Sequence, residues 1–124
     1  MRTRSAKRMG MSIKVYIAGP MRGIPWYNFP AFDEAERRGR ELGHAIVSPA
    51  TLDRELGFDE RRDVPTKADL RAMIVRDVVE LSKCDAIALL PGWEKSTGVA
   101  VELAVARFLS LKVLDAESFE EKAI

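Results

Sequence analysis

The chain has one cysteine and one histidine among its 124 residues. Cys84 alone builds neither a disulfide framework nor a thiolate metal site. With His44 as its single companion, no zinc centre is expected, and neither is a cofactor. No stretch approaches the run of about eighteen apolar residues that a membrane span requires. The N-terminal residues lack the apolar segment of a signal peptide. No internal repeat and no second domain are visible, and the chain reads as cytoplasmic (host cytoplasm if phage-encoded).

Charge of one sign is scarce only at the start. Arg2, Arg4, Lys7 and Arg8 meet no acid in the first ten residues, so the net charge of +1 leaves −3 on the remainder. Such a leader can touch nucleic acid. The plainer reading is a frayed terminus, or a start at Met9 or Met11, so nucleic acid is not expected as a partner. We read residues 1–12 as a flexible basic leader and residues 13–124 as a single α/β domain. With 47% hydrophobic and 31% charged residues, the composition is that of a soluble domain able to bury a core.

Residues 14–18, K-V-Y-I-A, are an apolar run closed by Gly19-Pro20, as in a buried parallel strand. Asn28 and Pro30 open a helix that ends before Gly43. Further strands are expected over 44–48, 85–90 and 111–114, and a short acidic helix from Glu117. Residues 50–67 lack periodicity and read as a long loop. Alternating strands and helices predict a three-layer Rossmann- or flavodoxin-like domain with a parallel sheet of four to five strands. Ligands of such sheets sit at the strands' C-terminal ends. There the segments 19–28 and 91–98 carry glycines and precede helix N-termini, which favour anions.

Two acids stand where acids are costly. From Gly98 to Leu109 the sequence reads G-V-A-V-E-L-A-V-A-R-F-L, with Glu102 its only acid. A helix apolar nearly all round is expected to be buried, and a buried carboxylate needs a partner or a proton. In the helix over 68–83, Leu70, Met73, Ile74, Val78 and Leu81 form an apolar stripe, and Asp77 falls within it. Arg71, Arg76, Glu80 and Lys83 fall on other faces, as solvated charges should. Paired inward carboxylates are how glycosidic bonds are commonly cleaved. The alternative is structural: Asp77 pairs with Arg22, Arg71 or Arg107, and Glu102 with Tyr16 or backbone. Ser96 is placed to cap the last helix, and Arg22, after a strand, is placed to meet a phosphate or carboxylate. Trp26, Tyr27 and Trp93 suit base stacking or packing within their own loops, whereas His44 and Cys84 read as structural.

V-Y-I-A-G-P-M-R-G at 15–23, R-D-V-V-E-L-S-K-C-D-A-I-A-L-L-P-G at 76–92 and S-T-G-V-A-V-E-L at 96–103 together resemble the nucleoside 2-deoxyribosyltransferase-like superfamily, in the branch common in phages and bacteria. The resemblance covers residues 14–115 and implies specific roles. Glu102 is the nucleophile at the anomeric carbon, Tyr16 orients it, and Asp77 helps protonate the leaving base. Gly19, Pro20, Met21, Arg22, Gly23, Ser96 and Gly98 are the substrate-binding positions. Ser at position 96 and Arg22 match the nucleoside 5′-monophosphate N-glycosidases, whereas transferases on free nucleosides carry Asp at that position. Pro20 departs from the Ser of the monophosphate hydrolases and removes a donor.

The expected activity is therefore N-glycosidic cleavage or base exchange on a nucleoside or nucleoside 5′-monophosphate, with Glu102 ionised at neutral pH. The resemblance also implies a homodimer or higher homo-oligomer, to which Val101, Val105 and Phe108 add apolar surface. Two other classes remain: a nucleotide-binding sensor or decoy without turnover, and a structural role for both acids.

Overall fold

The structure is a computed structural model that describes residues 12–124. The basic leader lies almost wholly outside the described residues. Four strands, β1 (Lys14–Ala18), β2 (Ala45–Val47), β3 (Ala86–Leu89) and β4 (Lys112–Asp115), form one parallel sheet in the order β2-β1-β3-β4. Four helices flank it: α1 (Phe29–Glu41), α2 (Pro49–Glu55), α3 (Lys67–Leu81) and α4 (Thr97–Phe108). The expected α/β class is thus met, with four strands.

Strand alternation sorts the core into two layers. Val15, Ile17, Ala86, Ala88, Leu90 and Ile46 pack with Phe29, Phe32 and Ala35 of α1. Tyr16, Ala18, Ile87 and Leu89 pack with Leu81 of α3 and Val99, Leu103 and Ala106 of α4. Tyr16 thereby faces α3 and α4 from the sheet's middle, paired in register with Val47 on one side and Ile87 on the other. The chain moves one way from β1 to β2 and the other way to β3. This puts the topological switch point between the C-terminal ends of β1 and β3, where Leu90 N–H bonds Ala18 O at 2.9 Å.

Local chemistry explains most boundaries. Thr66 and Asp69 form a reciprocal capping box at the start of α3. Gly43, at φ 95°, takes the left-handed position after α1. Asn28 precedes α1 as expected but is itself left-handed; its side chain donates to Pro20 O at 2.9 Å and caps no helical N–H. A helix-weakening glycine sits inside α1 because a Cβ on Gly39 would lie 2.4 Å from Ile46 Cδ1 and 2.8 Å from Phe119 Cζ. Gly39→Val is expected to destabilise the fold by about 1–3 kcal/mol, read as a lower urea midpoint at unchanged slope.

Four expectations need correction. Residues 50–67 are not all loop, because α2 begins at Pro49. A helix of seven residues is too short to show a 3.6-residue period, although Pro at its first position was a start signal. No helix follows Glu117: the Asp115 carboxylate accepts from Glu117 N–H and Ser118 N–H, and the turn sends Phe119 into the core. Leu70 is exposed and the inward stripe of α3 begins at Met73. Finally α4 is not buried all round, since Val101 and Phe108 face outward.

Candidate active site

Glu102 lies on the inward stripe of α4 with Val99, Leu103 and Ala106, and is only 6% exposed. Opposite it, the Tyr16 hydroxyl donates to Glu102 Oε2 at 2.5 Å. No other hydrogen bond to Glu102's carboxylate occurs among the described residues, so Oε1 is left without a partner. Burial, reinforced by the nearby charge of Asp77, pushes Glu102 up to about 8 against the lowering effect of the Tyr16 bond. Burial thus opposes the expected ionisation of Glu102 at neutral pH, and the Tyr16 bond favours it. Tyr16 is raised well above its ordinary value, first by burial and then by the charges of Glu102 and Asp77.

Asp77 lies on the same side of the sheet, on α3, near enough to act on both Tyr16 and Glu102. Its Oδ1 accepts from Arg76 Nε at 3.1 Å and Nη2 at 2.5 Å, while Oδ2 has no partner among the described residues. Asp77 does not pair with Arg22, Arg71 or Arg107. Burial raises its pKa to about 6; Arg76 opposes the shift and Asp53 adds to it.

Two members of this cluster were missed in the sequence. Arg76 faces inward, where periodicity had it solvated, and its Nη2 also reaches Asp53 Oδ1 on α2 at 2.7 Å. Asp53 is 5% exposed, and burial raises its pKa against the pull of Arg76. Among the described residues, Arg76 Nη1 and the Ser48 hydroxyl are buried without partners. The start of α2 was the signal that could have placed Asp53 near the sheet edge.

The other expected residues surround the C-terminal edge. Ser96 caps α4, its Oγ accepting from Val99 N–H at 3.2 Å and keeping its own O–H to donate. Gly98 is exposed in the first turn of that helix; Gly19, Pro20 and Met21 are partly covered, and Arg22 and Gly23 are exposed. Trp26 lies against Arg61 and Tyr27 against Phe58, so these loop aromatics pack within their surroundings. His44 accepts from Ile13 N–H and stacks on Phe119, a structural place. Cys84 is buried in the core.

Two surface cavities lie apart from the acids. One, of about 220 Å³, is lined by Trp93, Ser96, Ala100, Leu103 and Arg107 among others. A second, of about 390 Å³, lies between residues 23–27 and 60–64. Neither is lined by Glu102 or Asp77. No group of three or more His, Cys, Asp or Glu side chains suited to a metal occurs among the described residues. None of the described helices is long and apolar enough to cross a membrane.

No curated protein matches the sequence. Among solved structures, the chain is similar to a 2-deoxyribosyltransferase from the psychrotolerant bacterium Bacillus psychrosaccharolyticus. The TM-score is 0.58 at 23% identity, over 82% of this chain and 69% of that one. The likeness is one of fold. In sequence, the family model described as a domain of unknown function, DUF4406, matches residues 13–115, and the chain belongs to that family.

Proposed function

We propose that the chain cleaves or exchanges the N-glycosidic bond of a nucleoside or nucleoside 5′-monophosphate. The observation that carries this reading is that two carboxylates lie on one side of the sheet, Glu102 buried and Asp77 partly buried, each held by one oxygen. Tyr16 takes Glu102 Oε2 and Arg76 takes Asp77 Oδ1. Oε1 is then the atom that attacks the anomeric carbon as the bond to the base nitrogen breaks, and Oδ2 carries the proton that the departing base receives. Water or a second base next attacks the anomeric carbon and returns Glu102 as a carboxylate. Ser96 O–H, the first turn of α4 and Arg22 are the groups for a 5′-phosphate. Because Glu102 is so well covered, a substrate must displace part of its cover.

The test is incubation with common ribo- and deoxyribonucleosides and their 5′-monophosphates, following free base by chromatography. Base release above a Glu102→Ala control supports the reading, and none across the panel overturns it. A non-catalytic nucleotide sensor is the second reading, and the close cover over Glu102 is the observation that favours it. It predicts thermal stabilisation by a nucleotide that is recovered intact and is insensitive to Asp77→Asn.

Self-association belongs to the same proposal. The outer faces of α3 and α4 expose Val75, Val79, Val101 and Phe108, the last at 87%. Exposed apolar side chains on two neighbouring helices suit a contact site. Sedimentation is expected to give a dimer for the native chain and a monomer for Phe108→Asp; a monomeric native chain would refute it.

A further inference from the structure

We propose that Asp53, acting through Arg76, is a positioning residue that sets where Asp77 points and when it holds its proton. The inference rests on the reading of Asp77 as the proton donor to the leaving base. Adjacent helical residues point about 100° apart, so Arg76 must fold back to reach Asp77. A second anchor holds it there: Asp53, from a different helix and 23 residues earlier, takes the same Nη2 at 2.7 Å that bonds Asp77 Oδ1 at 2.5 Å. All three guanidinium bonds use the Nε and Nη2 edge, and the two that go to Asp77 grip it by one oxygen. The other oxygen stays free for a ligand.

The titratable and charged groups around Asp77 come from four elements. Arg76 lies beside it on α3, Asp53 faces it from α2, Tyr16 from β1 and Glu102 from α4. Burial, the largest influence, raises the Asp77 pKa, and Arg76 pulls it back toward the ionised form. Asp53 competes for the same cation and adds its own negative charge, so Asp77 keeps its proton to higher pH. An acid that must protonate a base near neutrality benefits from that bias.

Asp53→Asn separates tuning from scaffolding, because the amide oxygen can still accept from Arg76 while the charge is gone. The Asp77 carboxyl midpoint, followed by carbon NMR in protein labelled at aspartate, is expected to fall by roughly half to one pH unit. The acid limb of kcat/KM should move down with it, and the maximum should drop roughly three- to tenfold because less Asp77 is protonated when Glu102 is ionised. A midpoint unchanged or raised in Asp53→Asn overturns the proposal, whatever the activity. If the native chain releases no base, the glycosidase reading fails by itself and the NMR midpoints alone decide the role of Asp53. Should Asp53→Asn not fold, Asp53→Ser, which keeps a hydrogen-bond acceptor, is read in the same way.

Discussion

Glu102→Gln is expected to reduce base release on the order of 10⁴-fold or more, as loss of a covalent nucleophile does, and to make the protein more stable at alkaline pH. The two effects have one cause. Gln has the size of Glu and can still accept from Tyr16 O–H, so the packing around α4 is retained. It cannot attack the anomeric carbon. Nor can it ionise, and ionisation is what the native residue resists. The folded-state pKa of Glu102, about 8, lies above its ordinary 4.5. For a carboxyl raised in this direction the folded state binds more protons than the unfolded state between those values. The stabilising contribution is therefore full below about 4.5 and is lost as pH rises through about 8.

Substitution removes that loss. The difference in melting temperature between Glu102→Gln and the native chain should grow from pH 4.5 to 8 and then level off. At the plateau it corresponds to about 5 kcal/mol. The native–variant comparison isolates this residue from the surface carboxylates that titrate in the opposite sense, such as Asp115, which is lowered first by its Glu117 backbone bond. A variant that loses stability at every pH would mean that Glu102 is a structural anchor. A variant that retains turnover would remove it from the chemistry altogether.

How much of this was legible in the sequence depends on how far each interaction reaches. Glu102 was visible because one acid in an apolar helix breaks a pattern confined to that helix. Asp77 was visible in the same way, as an acid within a stripe, and both do lie on inward faces. The sheet was visible because its first three strands are short apolar runs closed by Gly or Pro. Arg76 was not, because a long side chain can leave the face on which periodicity sets its Cα. Its reason for turning inward, Asp53, lies in a seven-residue helix that gives no periodic signal. The outward side of α4 was misread for a related reason. Val101 and Phe108 are as apolar as core residues, and only the position of α3 and the sheet decides which side is covered. Tertiary partners set the remainder of the site, and no window of local sequence contains them.

The pH dependence of kcat/KM should be a bell with limbs near pH 6 and 8, the values to which burial raises Asp77 and Glu102. Two carboxyl groups that act on each other titrate as a pair. Below the lower limb both are protonated and no nucleophile is available. Above the upper limb both are ionised and no acid remains. Between them the pair holds a single proton, which rests mainly on Glu102 and must pass to Asp77 for reaction. The share of the reactive arrangement within the singly protonated pair does not depend on pH, so the proton's preferred seat lowers the height of the bell without moving its limbs. Developing positive charge at the anomeric carbon favours the ionised form of Glu102 as the bond to the base breaks. Rates should fall about tenfold per pH unit outside the limbs. In Asp77→Asn the alkaline limb should vanish, because the acid is no longer there to lose its proton. The rising limb, now the titration of Glu102 alone, should shift up from about 6 to somewhat below 8, since the Asp77 charge that helped raise Glu102 is gone. A flat native profile between pH 5 and 9, on a substrate the protein turns over, would show that neither carboxyl group changes its protonation in the rate-determining step.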